Sequence, residues 1–261
     1  MKIEKIRDLD DLIFEEFKGY YSDILNSNFS NQFPQTIKLS SLLTISSNFI
    51  KNSIFNCAEN DDLYGIKILF RSLIEHYLRF MYIWFNWIKS KNDDVSKKYI
   101  EFNEASEKLD ELKSQIAKYK LSNTESKIYT LNELLQKHPD LKKYTKDEIE
   151  KETLKYSYKN IISFLKQIDQ KHETETTLLG SLIIEYSKLS AFVHGSSGSH
   201  NEMKEYSNKL ERIKEYERIC GLAFQMAGAV KLLSLLMLVQ TDKKKFESNY
   251  LNIDQIMKKL E

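Results

Sequence analysis

Tyr186, Ser190 and His194 stand four residues apart, and Arg71 and Glu75 repeat that interval in an earlier apolar stretch. Four-residue spacing puts side chains on one face of a helix. A phenol, a hydroxyl and an imidazole on one stripe are the parts of an acid–base system. The imidazole titrates near neutrality, and its neighbours set which ring nitrogen carries the proton. An arginine steadied by a glutamate one turn on presents a planar cation suited to a phosphate or to developing negative charge. Behind His194 the chain runs Gly195-Ser196-Ser197-Gly198, where glycines can let backbone amides approach an anion closely. The expected catalytic residues are therefore Arg71, Glu75, Ser190 and His194, with Tyr186, Gly195 and Ser196 as substrate contacts. Each pattern also has a plainer account. Arg71 and Glu75 could be an ion pair tying two helices together. Tyr186 and Ser190 could make ordinary buried hydrogen bonds, with His194 covering carbonyls at a helix end.

The remaining histidines add little. Five residues separate Arg71 from His76, and on a straight helix that is about 140° past a full turn, so the two side chains diverge. His76 reads as a packing residue. His138, His172 and His200 sit among polar neighbours and are expected at the surface. No Walker-type loop, dinucleotide fingerprint, His-Glu-x-x-His or Cys-x-x-Cys occurs, and no Glu-x-x-His pair repeats as a di-iron bundle requires. Neither a metal nor a cofactor is expected.

Val193-His194-Gly195 at a helix exit, following Ser190, resembles the closing motif of the HEPN superfamily (higher eukaryotes and prokaryotes nucleotide-binding), commonly Arg-Asn-x-x-Val-His-Gly. Here Leu189 and Ser190 occupy the arginine and asparagine positions. The pattern is similar to a group of bacterial helical proteins that pair an Arg-x-x-x-Glu helix with a Tyr-x-x-x-Ser-x-x-x-His helix, matched by Arg71/Glu75 and Tyr186/Ser190/His194. The resemblance covers two stretches, roughly 62–90 and 176–200. It implies a helical bundle, frequent dimerisation and, in active members, metal-independent RNA cleavage by toxins or anti-phage effectors. In that chemistry the histidine assists attack of the ribose 2′-hydroxyl on the adjacent phosphate, and an arginine stabilises the phosphorane. With leucine at the motif's own arginine position, that cation must come from Arg71. The competing expectation is a non-catalytic scaffold or binding subunit of a defence or toxin–antitoxin complex.

Composition fixes the frame that must hold these residues. Across 261 residues there are only 2 Pro and 7 Gly, which favours long helices over a many-turned β architecture. With 39 basic against 38 acidic residues the net charge is +1, so no overall field draws nucleic acid or an anionic membrane. RNA would have to be met through a local pocket. Cys57 and Cys220 are too few for a disulfide framework and fit a reduced cytoplasmic setting. The charged N-terminus lacks an apolar signal core. Gly221–Val239 approaches membrane-spanning length, but Gln225 and Lys231 interrupt it, and its small residues Ala223, Ala227, Gly228 and Ala229 suit a closely packed core helix.

The periodicity predicts helices over 3–26, 36–58, 62–90, 174–194 and 201–240, with an amphipathic tail from Ile253 to Leu260. The third helix is apolar around most of its circumference and should be central. Residues 92–172 are richer in Lys, Glu and Asp, have thin apolar stripes, and include a turn at His138-Pro139. Capping boxes are expected at Ser122–Glu125, Thr145–Glu148 and Ser199–Glu202. The fold expected is all-α: one domain over 1–261, a bundle of 1–90 and 174–261 carrying 92–172 as a charged helical insertion or lid. The long apolar helix and the tail could serve a homo-oligomer or a protein partner.

Overall fold

The computed structural model describes residues 2–25, 32–121, 130–172, 177–240 and 242–260, with side chains at all of these except 19–25, 169–172, 177–179, 245 and 260. Among them the chain is all-helical: α1 (Ile3–Leu25), α2 (Pro34–Glu59), α3 (Leu63–Ser90), α4 (Asp94–Leu121), α5 (Leu131–Lys137), α6 (Lys146–Leu154), α7 (Tyr158–His172), α8 (Thr177–Val193), α9 (Ser197–Glu205), α10 (Lys209–Val239) and α11 (Lys243–Met257), with a closing 3₁₀ turn, Lys258–Leu260.

Helix ends follow side-chain chemistry. Pro34 opens α2, where it gives up an N–H that would be unpaired anyway. The next two amides, of Gln35 and Thr36, each donate to the Asp93 carboxylate at 2.9 Å, a cap supplied from the start of α4. Asp62 caps α3 by accepting from the Gly65 amide at 2.8 Å. Its neighbour Asp61 takes a left-handed φ of 54° in the α2–α3 turn and is held there by Arg212 and by the Tyr216 hydroxyl. Thr145 and Glu148 form the expected reciprocal capping box on α6, and Thr130 with Glu133 forms another on α5. The Ser122–Glu125 box lies outside the described residues, as does the His172 side chain.

Two expectations need correcting. Residues 201–240 are not one helix: α9 ends at Glu205, Asn208 caps a new helix through the Leu210 amide, and the axis breaks between them. Ser199 is no cap either. It lies inside α9, fully buried, with its hydroxyl donating to the Ser196 carbonyl at 2.7 Å. A serine three residues before a glutamate satisfies the capping pattern, but here the glutamate is drawn to a buried lysine.

α3 is the central element, packed by α2, α7, α8 and α10. Ile66, Phe70, Leu73, Ile74, Leu78, Phe80 and Ile83 are all at most 1% exposed, and each such side chain contributes roughly 1.5–3 kcal/mol by leaving water. α10 is, among the described residues, the one helix long and apolar enough to cross a membrane, and most of its apolar stretch is buried inside the bundle. At Gly228 the Met257 side chain of α11 lies so close that a Cβ would come within 2.3 Å of its sulfur, and a larger residue there would require the flexible methionine to move.

The charged stretch divides between two cores. Ala105, Leu109 and Leu112 of α4 make a small separate cluster with Leu135 of α5, Leu141 and Ile149 of α6. Tyr99 at the other end of α4, Tyr156, and Ile161, Ile162 and Leu165 of α7 join the main core.

One stripe of α2 is polar although it is buried: Thr36, Ser40, Thr44, Ser47 and Lys51. Thr36 bonds to Ser96 of α4, and Ser40 and Thr44 share Ser234 of α10 at 2.7 and 3.0 Å. At the far end Lys51 bonds to Asp10 of α1. Lys231 of α10 pairs with the same carboxylate at 3.7 Å, beyond hydrogen-bond reach, and has no hydrogen-bond partner among the described residues. Two buried ammonium groups thus share one carboxylate. Burial, with the Lys51 charge adding to it, pushes Lys231 down to about 8. The folded chain sheds this proton at a pH where the unfolded chain still holds it, so stability from this group rises with pH above about 8. We predict that Lys231→Met raises stability at pH 7 by on the order of 3 kcal/mol, and that the advantage shrinks by pH 9.5. Urea melts of both proteins at the two pH values check this, and a variant less stable than wild type at pH 7 contradicts it.

Candidate functional site

α3 and α8 pack side by side, and their polar stripes meet. Leu182, Leu189 and Phe192 bury one side of α8 in the core. Tyr186 and Ser190 face α3. There the Arg71 guanidinium donates from Nη2 to the Tyr186 hydroxyl at 2.7 Å and from Nε to Ser190 Oγ at 3.3 Å. Its Nη1 lies 3.6 Å from Glu75, and its carbon sits over the Tyr186 ring, 4.4 Å from the centre. Two of the five guanidinium N–H groups are thereby used in hydrogen bonds. The side chain keeps 19% of its surface exposed, so it can still meet a solvent-borne anion. Arg71, Glu75, Tyr186 and Ser190 are brought together by the fold.

The stripe continues along α3. Glu75 also accepts from Arg79 at 2.6 Å, so one carboxylate serves two guanidiniums. On the other side, Tyr158 of α7 stacks on Tyr186 with centroids 3.6 Å apart and planes 13° from parallel. Its hydroxyl donates to the Ile183 carbonyl at 3.3 Å. Burial, assisted by the Tyr186 phenol, pushes the Tyr158 hydroxyl up to about 12. Tyr186 is raised as well, first by burial and then by the Glu75 charge, with Arg71 opposing. Both phenols are neutral at physiological pH, Tyr158 donating to Ile183 and Tyr186 accepting from Arg71.

His194 is placed differently. α8 ends at Val193, and the chain leaves through a complete Schellman turn. The Ser196 amide donates to the Ala191 carbonyl at 3.1 Å and the Gly195 amide to Phe192 at 3.4 Å, with Gly195 at φ +58°. Gly195 is there for that left-handed φ. Its amide and that of Ser196 close the helix, pointing back along it rather than out toward an anion. His194 sits at the cap position, one turn beyond Ser190. It is exposed, and its imidazole has no hydrogen-bond partner among the described residues. Ser196 is exposed too, and its Oγ reaches only the Ala191 carbonyl, at 3.5 Å. His76 bonds back to the Ser72 carbonyl at 2.9 Å, and His138 is half-buried, accepting from the Asp140 amide at 3.3 Å, rather than standing free at the surface. His200 is exposed.

A second polar group, missed by the spacing argument, steadies the helix exit. Lys67, one turn before Arg71, is 2% exposed and bonds to Glu202 of α9 at 2.8 Å and to Glu215 of α10. Its ammonium lies over the rings of Phe192 and Tyr206, at 5.8 and 5.0 Å. Arg218 bridges Glu215 to Glu185 of α8, each at 2.7 Å. Burial works against both charges of the Lys67–Glu215 pair, yet Glu202 and Glu215 hold Lys67 above the ordinary range, and Arg218 and Lys67 hold Glu215 below it. Lys67 was legible as the first member of a four-residue stripe: Lys67, Arg71, Glu75, Arg79. Nothing in the sequence singled out Tyr158. Among the described residues no group of three or more His, Cys, Asp or Glu is placed to hold a metal ion.

A family model described as a family of unknown function, DUF5677, matches residues 38–209, well over half of the chain. The chain belongs to that family. The matched span runs from α2 to the first residue of α10 and contains Arg71, Glu75, Tyr158, Tyr186, Ser190, His194 and Glu202. No curated protein and no solved structure matches the chain.

The Lys67 network makes a stability prediction. Glu215→Ala leaves the buried Lys67 ammonium with Glu202 as its one remaining carboxylate and should cost about 1.5–3 kcal/mol. Glu211→Ala, one turn away in an exposed pair with Lys214, should cost less than about 0.5 kcal/mol. Chemical denaturation of the two variants separates a buried network from surface charge. Equal losses would show that Glu215 is solvated.

Proposed function

We propose that this chain is a metal-independent endoribonuclease of the HEPN type, working in the cytoplasm as a toxin-type effector of bacterial anti-phage defence and assembling as a homodimer. The observation that carries the reading is the meeting of Arg71 with Tyr186 and Ser190, one turn of α8 before an exposed His194. One helical turn is about 5.4 Å, the scale of a phosphodiester, so a single RNA linkage can lie across both groups. His194 takes the proton of a ribose 2′-hydroxyl. The 2′ oxygen attacks the adjacent phosphorus, and the bond to the 5′ oxygen breaks, that oxygen taking a proton from water while the hydroxide so formed takes back the proton held by His194. The products are a 2′,3′-cyclic phosphate and a 5′-hydroxyl. Arg71 offsets the phosphorane charge with its remaining N–H groups, while Glu75, Tyr186 and Ser190 hold the guanidinium flat and aimed.

A second reading, a non-catalytic binding subunit of a defence or toxin–antitoxin complex, is favoured by one observation. Arg71 already has protein partners, whereas the His194 imidazole has none to orient it. The readings part on stability. A structural Arg71 predicts a sharp fall in Tm on Arg71→Ala, and a catalytic pair predicts lost cleavage at nearly constant Tm for His194→Ala.

Purified protein incubated with single-stranded RNA in EDTA should yield fragments ending in 2′,3′-cyclic phosphate. His194→Ala and Arg71→Ala should each lower the rate by about 100-fold or more. Cleavage at wild-type rate by both variants would remove the proposal.

A further inference from the structure

Arg71 is the cation of the site, but the ring it lies against is gripped from elsewhere. Tyr158, the first residue of α7, stacks on Tyr186 at a centroid separation of 3.6 Å. The Arg71 guanidinium lies over the same ring, 4.4 Å from its centre. A second ring and a guanidinium cannot share one face at those separations, since atoms in contact already stand about 3.5–4.0 Å apart. Tyr186 is therefore the middle layer of a sandwich, with Tyr158 outside and Arg71 inside.

We propose that Tyr158 is a positioning residue for Arg71, so that the α7 end of the charged segment completes a site whose other members come from α3 and α8. The inference rests on the reading of Arg71 as the phosphate-binding group. Tyr158 is itself fixed at both ends: by its backbone at the start of α7 and by its hydroxyl on the Ile183 carbonyl. Pressing on the far face of Tyr186, it removes the rotation that would swing the Tyr186 hydroxyl off Arg71 Nη2. With that bond lost, only the longer contacts to Ser190 and Glu75, at 3.3 and 3.6 Å, would restrain the guanidinium. The flat face matters more than the hydroxyl, because the stack makes direct contact with Tyr186 and the hydroxyl reaches only a carbonyl one turn back.

The test compares Tyr158→Phe, which keeps the face, with Tyr158→Leu, which removes it. Should Tyr158→Leu not fold, Tyr158→Met takes its place. The first readout needs no activity: the Arg71 Nε–H signal in ¹⁵N-labelled protein, assigned by its loss in Arg71→Lys. It should be sharp and slow to exchange in wild type and Tyr158→Phe, and broadened or exchanged in Tyr158→Leu. The second is RNA cleavage, where Tyr158→Leu should lower kcat about ten-fold or more with KM little changed, and Tyr158→Phe should restore most of it. An Arg71 signal equally protected in all three proteins overturns the proposal, and so does a Tyr158→Phe signal as broad as that of Tyr158→Leu. That signal decides the positioning role whether or not the wild-type chain cuts RNA, so the two ideas fail separately.

Discussion

Lys67, Arg71, Glu75 and Arg79 run down one stripe of the central helix at intervals of one turn, and the rest of the bundle is arranged to satisfy them. An ionised side chain withdrawn from water costs several kcal/mol unless it is paired and hydrogen-bonded. α3 cannot satisfy four such groups alone, because only neighbours on its own stripe are within reach. The Glu75 carboxylate serves Arg71 and Arg79 from within the helix. Lys67 must be met by Glu202 and Glu215, and Arg71 by Tyr186 and Ser190. The register of α8, α9 and α10 against α3 is thus tied to electrostatics as well as to apolar packing.

That constraint shapes the helix exit. Lys67 pulls α9 inward through Glu202 and passes beneath the Phe192 ring, while the Schellman turn at Gly195 reverses the chain. His194 is left exposed at the crest of the turn, with its own amide and those of Gly195 and Ser196 bonded back into the helix. A histidine placed this way keeps its proton chemistry available and loses any buried neighbour that would fix its tautomer. Exposure and orientation are traded against each other at this one residue.

Two polar systems in this bundle differ in kind. The α3 stripe is balanced, its three cations met by Glu75 on the same helix and by Glu202 and Glu215 from α9 and α10, with every member paired. The α2–α10 track is not: Lys51 and Lys231 compete for Asp10, and Lys231 finds no hydrogen bond. The first system ties α3 to α8, α9 and α10. The second loads the fold with a cost that falls as Lys231 gives up its proton.

Chain composition and periodicity determine the helical class, the central place of the third helix, the shared faces of Arg71 with Glu75 and of Tyr186 with Ser190, and the core role of the apolar helix around Lys231. These are local properties, fixed by a period of 3.6 residues and by transfer out of water. The break between α9 and α10 escaped because Ser199 and Glu202 read as a cap, whereas Glu202 is claimed by a lysine 135 residues away. The burial of Lys51 and Lys67 escaped because a lysine's sequence neighbours do not reveal a carboxylate on another helix. Tyr158 escaped because stacking leaves no spacing signal. What only the tertiary structure decided is which distant side chains meet, Arg71 inside Tyr186 and Tyr158 outside it, and that His194 is left exposed one turn beyond Ser190. Such meetings depend on how whole helices pack, and no window of sequence contains both partners.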